Sequence, residues 1–345
     1  MSIRGATPVG ETTHLDNAPD RLVSPWLIGA VFWSTVIAIV VLRTSGVPEN
    51  PTIGTFGVIF TSIVVEALPF ILLGAAVSAL IAVFVSDRML ARIGRLPRAL
   101  QLPAASLAGV AFPVCECGSV PVGRRLIARG VYPAAGIGFM LAAPIVNPIV
   151  LGTTWVAYEG RGVAAEMTML RGGLGLLVAI AAGWAIGRRS GVELLRESQQ
   201  QIAVDAEHRD AHGSRSQAFA DHLAGDFLFM GKFLVLGAAA SATIQTLVPQ
   251  SIVAGVADNP VLGALALMTL AFALSLCSEA DAFVAVSFTS FSLGSQLAFL
   301  VLGPVLDTKL AVLYGATFRR QFAIRVLLVA APVALAGALL ADAVL

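Results

Sequence analysis

The chain has 345 residues, of which 57% are hydrophobic and 12% are charged. Soluble domains carry about 25% charged residues, so this composition excludes a disordered protein and an ordinary soluble enzyme and indicates a polytopic membrane protein. The formal net charge of +1 gives no sign of nucleic-acid binding, and three cysteines, an odd number, do not predict a disulfide framework.

A series of apolar runs extends along the chain, and most are long enough to span a bilayer, which takes about 20 apolar residues. Because backbone groups in lipid must hydrogen bond within their own segment, the runs are predicted to be helices. No small-residue cleavage site comes after the first run, which is therefore predicted to be a retained helix. The runs are 26–43, 54–85, 103–122, 131–157, 164–187, 223–248, 259–294, 295–316 and 321–344.

Two of these runs are interrupted. The run 103–122 holds Gly118 and Pro121, and the run 259–294 holds the polar cluster Cys277-Ser-Glu-Ala-Asp281. Each predicts two short helices that meet at a break and return to the side from which they came. The result is seven spans plus two re-entrant hairpins.

Arginine placement predicts the orientation. With two hairpins, most of the 22 Lys and Arg residues fall on one face, which the positive-inside rule makes cytoplasmic. Arg124, Arg125 and Arg129 belong to that face, whereas Arg171 is among the few cations assigned to the opposite one. The N-terminus is then cytoplasmic and the C-terminus lies outside, in a multi-pass protein of the cell (cytoplasmic or inner) membrane.

The two halves of the chain repeat. Phe70–Ile81 matches Phe233–Ile244 at most positions, and Cys115 matches Cys277, with the paired residues 162 to 163 positions apart. Because each copy holds three crossings, the second copy is expected to be inverted in the membrane. Inverted repeats with broken helices are typical of secondary transporters, whose sites lie near the midplane.

The predicted fold class is therefore an all-α polytopic membrane protein. It has two inverted repeats, each with a broken hairpin and three spanning helices, plus one extra N-terminal helix. The predicted segments are a cytoplasmic tail 1–25, a first membrane half 26–187, a polar cytoplasmic linker 188–222 and a second membrane half 223–345.

The first break, Pro113-Val-Cys115-Glu116-Cys117-Gly118-Ser119-Val-Pro121, is expected to be extended. Cys115 and Cys117 would then point to one side, with Glu116 opposite, and Ser119 would N-cap the outgoing half-helix. Two sulfur ligands suit a soft ion or metalloid better than zinc, whose usual ligand spacing is wider. Packing as small hydrophobes is the alternative role for cysteines. All three cysteines of the chain lie in the two breaks, which favours a function.

The second break places Cys277, Glu279 and Asp281 at alternate positions, on one face of an extended stretch. Acidic residues within the bilayer are costly, and by default they mark a functional site such as a cation or proton pathway. The alternative is that Asp281 caps the next half-helix while Glu279 complements its dipole.

A third interruption lies inside two matching spans, at Pro144-Ile-Val-Asn147-Pro148 and Pro304-Val-Leu-Asp307-Thr308-Lys309. Proline frees carbonyls within a helix, and Asn147 and Asp307 either line a pathway or occupy structural kinks. Lys309 is placed to neutralise Asp307.

Glu66 stands inside an apolar run, as a proton relay or gate or as an interfacial carboxylate paired with arginine. No phosphate-binding loop is present, so nothing in the sequence suggests ATP hydrolysis.

Four motifs resemble those of the predicted permeases of the ArsP/YraQ type, which are organoarsenical-efflux-permease-like proteins. The resemblance covers the chain from about residue 54. It implies an inner-membrane permease, and in one branch of the family the export of trivalent organoarsenicals, which bind thiols. The motifs are Glu66-x-x-Pro69-Phe70-x-x-x-Gly74, Cys115-x-Cys117-Gly118-x-x-Pro121, Ala143-Pro144-x-x-Asn147-Pro148 and Cys277-Ser278-x-Ala280-Asp281-x-Phe283.

The sequence therefore predicts a secondary permease without a cofactor, not an enzyme. It would export a small thiophilic solute, a soft metal or a trivalent organoarsenical, through a midplane site. Cys115, Cys117 and Cys277 are the predicted soft-ion ligands. Partners are the lipid bilayer, the solute, and either a second copy or a small accessory membrane subunit. An intramembrane thiol oxidoreductase and a membrane anchor subunit of a complex are the alternatives.

Overall fold

The computed structural model is almost entirely helical. Outside helices, the described part of the chain has a single isolated bridge, between Leu195 and Phe318. The chain divides into two units, Met1–Pro51 and Thr52–Leu345, and the described helices belong to the second, apart from the first residue of the first helix. The described residues are 51–84, 97–111, 114–187, 194–195, 215–247, 259–319 and 321–344.

The α-helices of the described residues form two sets of six with the same order. The first set is α1 (Pro51–Phe84), α2 (Arg98–Ala108), α3 (Glu116–Ala128), α4 (Pro133–Val146), α5 (Pro148–Glu159) and α6 (Ala164–Ile186). The second set is α7 (Arg215–Leu247), α8 (Pro260–Leu274), α9 (Asp281–Ala285), α10 (Leu293–Leu302), α11 (Thr308–Thr317) and α12 (Phe322–Val344).

Five helices in the described part are long and apolar enough to cross a membrane: α1, α4 with α5, α6, α7 and α12. This confirms the all-α polytopic membrane class. The run 295–316 contains two short helices, α10 and α11, separated by a break. The predicted first helix, 26–43, lies outside the described residues.

In each half one helix is broken next to a proline, and the same kind of cap starts the helix that follows the break. Asn147 Oδ1 accepts a hydrogen bond from the amide of Ile149 at 2.9 Å, at the start of α5. Asp307 Oδ1 accepts one from the amide of Leu310 at 2.6 Å, at the start of α11. The breaks predicted at these two positions are therefore present, and both side chains cap helices.

The broken helices form the buried centre of the described part of the chain. Residues 134–146 of α4 and 294–302 of α10 are buried throughout, whereas α1, α6, α7 and α12 each expose one face. Those exposed faces carry large apolar residues such as Leu72, Trp184 and Leu328. Such faces suit contact with lipid in a chain of this class.

Equivalent helices make equivalent contacts within each half. Helix α4 packs against α2 and α6, and α10 packs in the same way against α8 and α12. Helix α6 contacts α12, while α3 reaches α11 and α9 reaches α5 in the opposite half. The internal duplication thus has a counterpart in the packing, and inversion of the second copy stays a prediction.

The predicted linker 188–222 is described only in part. Helix α7 begins at Arg215, so the last residues of the linker continue into a membrane helix. Leu194 and Leu195 are buried, and the amide of Arg319 donates to the Leu194 carbonyl at 3.0 Å. The remaining linker residues lie outside the described part.

Candidate functional site

A small cavity lies where elements of both halves meet. It is bounded by α1, the start of α3, the loop between α8 and α9, and the start of α11. Its volume is about 10 Å³, close to the minimum for one water molecule. The lining residues are Ile63, Glu66, Ala67, Phe70, Cys115, Glu116, Cys117, Ser275, Cys277 and Lys309.

The three cysteines, the only ones in the chain, are all buried free thiols that line this cavity. Cys115 and Cys117 come from one side and Cys277 from the other half of the chain. Their convergence is the arrangement that the symmetry-related breaks predict. Whether the sulfurs bind a solute stays a prediction.

The prediction of an extended first break is wrong beyond Cys115. Cys115 has extended dihedrals (φ −72°, ψ 175°) and precedes α3, so Glu116 and Cys117 already belong to the first helical turn. The N-cap position therefore belongs to Cys115 and not to Ser119.

Ser119 instead lies inside α3 and connects this helix to α4. Its hydroxyl donates to the carbonyls of Glu116 at 3.0 Å and of Met140 in α4 at 2.8 Å. Gly118 and Pro121, predicted as part of the break, both lie within α3. The sequence signal was ambiguous here because proline is tolerated near the start of a helix as well as at a break.

The second break is a genuine interruption. Helix α8 ends at Leu274, and Ser275 adopts a left-handed conformation (φ 49°) that turns the chain. The Ser275 hydroxyl donates to the Phe272 carbonyl at 3.2 Å and accepts from the Thr308 amide at 3.1 Å. A non-glycine residue in this conformation is uncommon and persists where surrounding contacts hold it.

The expectation that Cys277, Glu279 and Asp281 share one face is wrong. Residues 278–280 form a turn, and the Asp281 amide donates to the Cys277 carbonyl at 3.0 Å. Cys277 and Glu279 stay together, since the Cys277 thiol donates to Glu279 Oε2 at 2.7 Å. Asp281 points elsewhere, because a turn does not alternate its side chains as a strand does.

Glu116 is the centre of the polar contacts. It is 1% exposed, although the sequence placed it opposite the thiols. Its Oε1 lies 3.5 Å from Lys309 Nζ, and its Oε2 accepts a hydrogen bond from the Ser278 hydroxyl at 2.9 Å. Glu116 therefore joins the first half of the chain to two segments of the second.

Lys309 pairs with Asp307, as the sequence predicted. Lys309 Nζ lies 3.5 Å from Asp307 Oδ2, and both residues are buried. Asp307 is also the cap of α11, so one carboxylate fixes the helix start and the position of the ammonium group.

Two of the predicted pathway residues, Asn147 and Glu66, have surroundings unlike those of the buried polar cluster around Glu116. Asn147 is buried at the start of α5 and does not line the cavity; its Nδ2 has no hydrogen-bond partner among the described residues. Glu66 lines the cavity but is largely exposed on α1. It therefore marks where the cavity reaches the surface of the described part.

The kinks at Pro144 and Pro304 also lie outside the cavity lining. Pro144 is inside α4, while Pro148 is the first residue of α5 and Pro304 stands between α10 and α11. These prolines shape the broken helices that bring Asp307 and Lys309 to the site.

Sequence reasoning missed a second buried ion pair. Arg171, assigned to an outer face, is 0% exposed inside α6, and its Nη2 lies 2.7 Å from Asp281 Oδ2. The guanidinium also donates to Thr154 Oγ1 at 2.7 Å and to the Ser278 carbonyl at 3.1 Å. It thereby holds the turn that carries Cys277 and Glu279. An arginine inside an apolar run was the available signal.

A third buried cluster surrounds Asp226 in α7. Its carboxylate pairs with Arg124 at 2.6 Å and Arg125 at 2.8 Å, and it accepts a hydrogen bond from Ser78 at 2.6 Å. The sequence placed both arginines on the cytoplasmic face without a partner. The structure uses them to join α3 to α7.

One group of side chains has the geometry to approach a metal ion. Donor atoms of Glu116, Cys277 and Glu279 all lie within 4.8 Å of one another. Zinc–ligand bonds are roughly 2.0 to 2.3 Å long, so a modest contraction would let one ion reach all three. This group contains one thiol and two carboxylates, and it shares Cys277 with the predicted set of three cysteines, which stays a prediction.

Comparison with known proteins gives the family. A family model described as "Predicted permease" matches residues 52–342, which is nearly the whole chain. The chain belongs to this predicted permease family. The match confirms the resemblance seen in the four sequence motifs.

Two curated relatives agree. The UPF0718 protein YcgR of Bacillus subtilis (strain 168) is 42% identical over 287 residues, covering 82% of this chain and 95% of the relative. A putative two-component membrane permease complex subunit of Streptococcus mutans serotype c (strain ATCC 700610 / UA159) is 35% identical over 266 residues. The match covers 76% of this chain and 87% of that relative. No solved structure gives a significant match.

Proposed function

We propose that this predicted permease is a secondary transporter that exports a small thiophilic solute, a soft metal ion or a trivalent organoarsenical. The observation that carries the proposal is the convergence of all three cysteines on one cavity between the two halves. Thiols prefer soft ligands, and the carboxylates and Lys309 beside them supply charges for binding or for coupling to protons.

Transport requires that the cavity change shape, because about 10 Å³ is too small for passage of a solute. The contacts that cross between the halves, α3 with α11, α9 with α5 and α6 with α12, are the surfaces that would repack. Rocking of one half against the other would expose the cysteines alternately to the two sides of the membrane.

The experiment is flux in proteoliposomes made with the purified full chain. Methylarsenite and Cd²⁺ are the probes, and the test variant is Cys115→Ser with Cys117→Ser. We expect transport of at least one probe, and a loss of about tenfold or more in the variant, as for removal of important site groups. Ser106→Ala is the matched control, since Ser106 is small and buried outside the cavity lining. Full flux in the cysteine variant contradicts binding of the solute by the thiols of Cys115 and Cys117.

We further propose that the membrane is the cytoplasmic or inner membrane, with the cytoplasmic side at the end of α1 and the start of α7. The arginines at the end of α3 support this side because positively charged residues accumulate on cytoplasmic faces. The N-terminus would lie on the same side.

An accessory membrane subunit is also proposed. The support is the description of the streptococcal relative as a subunit of a two-component membrane permease complex. Flux by the purified chain is compared with flux after a membrane protein co-purified from native membranes is added: a several-fold rise supports the proposal, and an unchanged rate contradicts it.

A further inference from the structure

We propose that the solute bound at this site is a divalent cation of the zinc and cadmium class, and that Lys309 is a tethered counter-ion which the cation displaces. This inference rests on the proposed function and names the class of its substrate. It also gives Lys309 a specific role.

The donor set selects the class of ion. Glu116, Cys277 and Glu279 offer one sulfur and two carboxylates within 4.8 Å of one another. Copper(I) prefers sulfur alone, and magnesium and calcium prefer oxygen alone, whereas zinc accepts both. A mixed set is therefore best matched by a borderline divalent ion.

The charge at the site also favours a cation over a neutral arsenical. Four carboxylates lie at or beside the cavity, on Glu66, Glu116, Glu279 and Asp307, and within the described ranges Lys309 is the one ammonium group among them. The nearby Arg171 is already paired with Asp281 at 2.7 Å. Buried charge is costly when it is unbalanced, and a dication would offset most of the excess negative charge at this site.

The ion pairs of Lys309 are long for a buried charge. Its distances to Glu116 and Asp307 are both 3.5 Å, whereas the buried pairs of Asp226 and Asp281 measure 2.6 to 2.8 Å. Charge-assisted hydrogen bonds are about 2.7–2.9 Å long, so the Lys309 pairs fall outside the strong range. An ammonium group held this way can yield Glu116 to an incoming cation while staying near Asp307.

A second observation points to a ligand in the cavity. The Cys117 thiol lines it, is 4% exposed, and forms no hydrogen bond with any residue in the described ranges. This sulfur is a further soft donor beside Glu116, Cys277 and Glu279, and it is available to an incoming ion.

The proton on Cys277 has a defined destination. The thiol donates to Glu279 Oε2 at 2.7 Å. When the cation–sulfur bond forms, the sulfur–hydrogen bond breaks and its proton is released to solvent by way of this oxygen, so that Glu279 binds the ion as a carboxylate. Binding thus converts a neutral thiol into a thiolate without leaving a charge unpaired.

The test is a Cd²⁺ titration of the purified full chain in detergent, followed by sulfur-to-cadmium charge-transfer absorption and by calorimetry. We expect the absorption band in the unaltered chain and its loss in Cys277→Ser. Lys309→Met should bind Cd²⁺ about tenfold or more tightly, because the competing ammonium charge is gone.

The matched control is Lys232→Met, which changes the only other lysine of the chain. Lys232 lies on α7 over the rings of Phe229 and Phe233, and is exposed. Its Cd²⁺ affinity should equal that of the unaltered chain. If Lys309→Met does not fold, the comparison of Asp307→Asn with Asp307→Asn/Lys309→Met replaces it, and the double variant should bind more tightly.

Absence of the absorption band, or weaker binding when Lys309 is replaced, overturns the inference. If methylarsenite is bound and transported while Cd²⁺ is neither, the cation inference fails and the permease proposal stands. If Cd²⁺ binds as expected but no probe crosses proteoliposomes, the proposed transport fails and the cation site stands.

Discussion

At the level of single residues, two glycines set how closely α1 approaches the hairpin that carries Cys115 and Cys117. A Cβ atom on Gly74 would lie 2.2 Å from the Gly118 Cα, and one on Gly118 would lie 2.9 Å from the Gly74 Cα. Neither helix can move away without carrying its cavity residues with it. Small residues permit such close packing between membrane helices.

Gly74→Ala is therefore expected to destabilise the protein by about 1–3 kcal/mol, the usual cost of overpacking a tight contact. The measurement is the free energy of unfolding in detergent. Gly57→Ala is the control on the same helix, because a Cβ there meets nothing within 4 Å. Equal stability of the two variants would show that the close contact is not maintained.

The buried pair between Arg171 and Asp281 gives a second residue-scale prediction. Arg171→Met leaves a buried carboxylate without its partner and should cost about 3–5 kcal/mol of unfolding free energy. Adding Asp281→Asn removes the uncompensated charge and should restore part of the loss. The control is Arg161→Met, since Arg161 is exposed just after α5. Additive losses in the double variant would argue against a direct pair.

At the level of elements, the cluster around Asp226 fastens the hairpin of one half to a long helix of the other. Arg124 and Arg125 belong to α3, Ser78 to α1 and Asp226 to α7. The same α3 begins at the cavity with Glu116 and Cys117. A movement that separates α3 from α7 at this end would therefore also move Glu116 and Cys117 at the cavity.

Asp226→Asn is expected to open the site more often. All three cysteines are buried in the cavity lining, so the rate at which a thiol reagent labels the protein reports access to the site. Labelling should accelerate several-fold when Asp226 is neutralised, because two buried ion pairs are lost. Asp221→Asn, an exposed change on the same helix, is the control. An unchanged rate in Asp226→Asn would mean that these pairs do not restrain the opening.

At the scale of the whole molecule, the duplicated order of helices makes a prediction about topology. If the second half is inverted, the equivalent loops α5–α6 and α11–α12 lie on opposite sides of the membrane. Arg161 and Arg319 are exposed residues of these two loops. A membrane-impermeant thiol reagent should then label Arg161→Cys in intact cells, and Arg319→Cys only after permeabilisation. Both variants need a background without the native cysteines. Labelling of both from one side would contradict the inverted arrangement.

The sequence predicted much of this architecture. Apolar runs of spanning length predicted the long helices, and α1, α6, α7 and α12 match them within several residues. Prolines with Asn147 and Asp307 predicted the broken helices, because proline interrupts a helix and short polar side chains cap its restart. The matched halves also predicted that Cys115 and Cys277 would be brought together.

Local conformation at the two breaks was not predictable in the same way. Gly118 and Pro121 are compatible with either an extended break or the first turns of a helix, and the structure adopts the helix. The turn at 278–280 sends Asp281 to Arg171 and leaves Glu279 beside Cys277. Contacts with α1 and α4 accompany the helical conformation at Gly118 and Ser119, whereas contacts with Arg171 of α6 and Glu116 of α3 hold the turn.

The sequence by itself determined that the chain is a helical membrane protein with two similar halves, and that its three cysteines lie at two breaks. These conclusions came from the length of the apolar runs, the repeat between the two halves and the positions of the polar residues, all of which can be read along the chain. Tertiary structure decided which charge meets which: Glu116 with Lys309, Asp281 with Arg171 and Asp226 with Arg124. Those pairs join residues more than 100 positions apart. Which residues pair depends on how the helices cross one another, and a local pattern of residues does not show this.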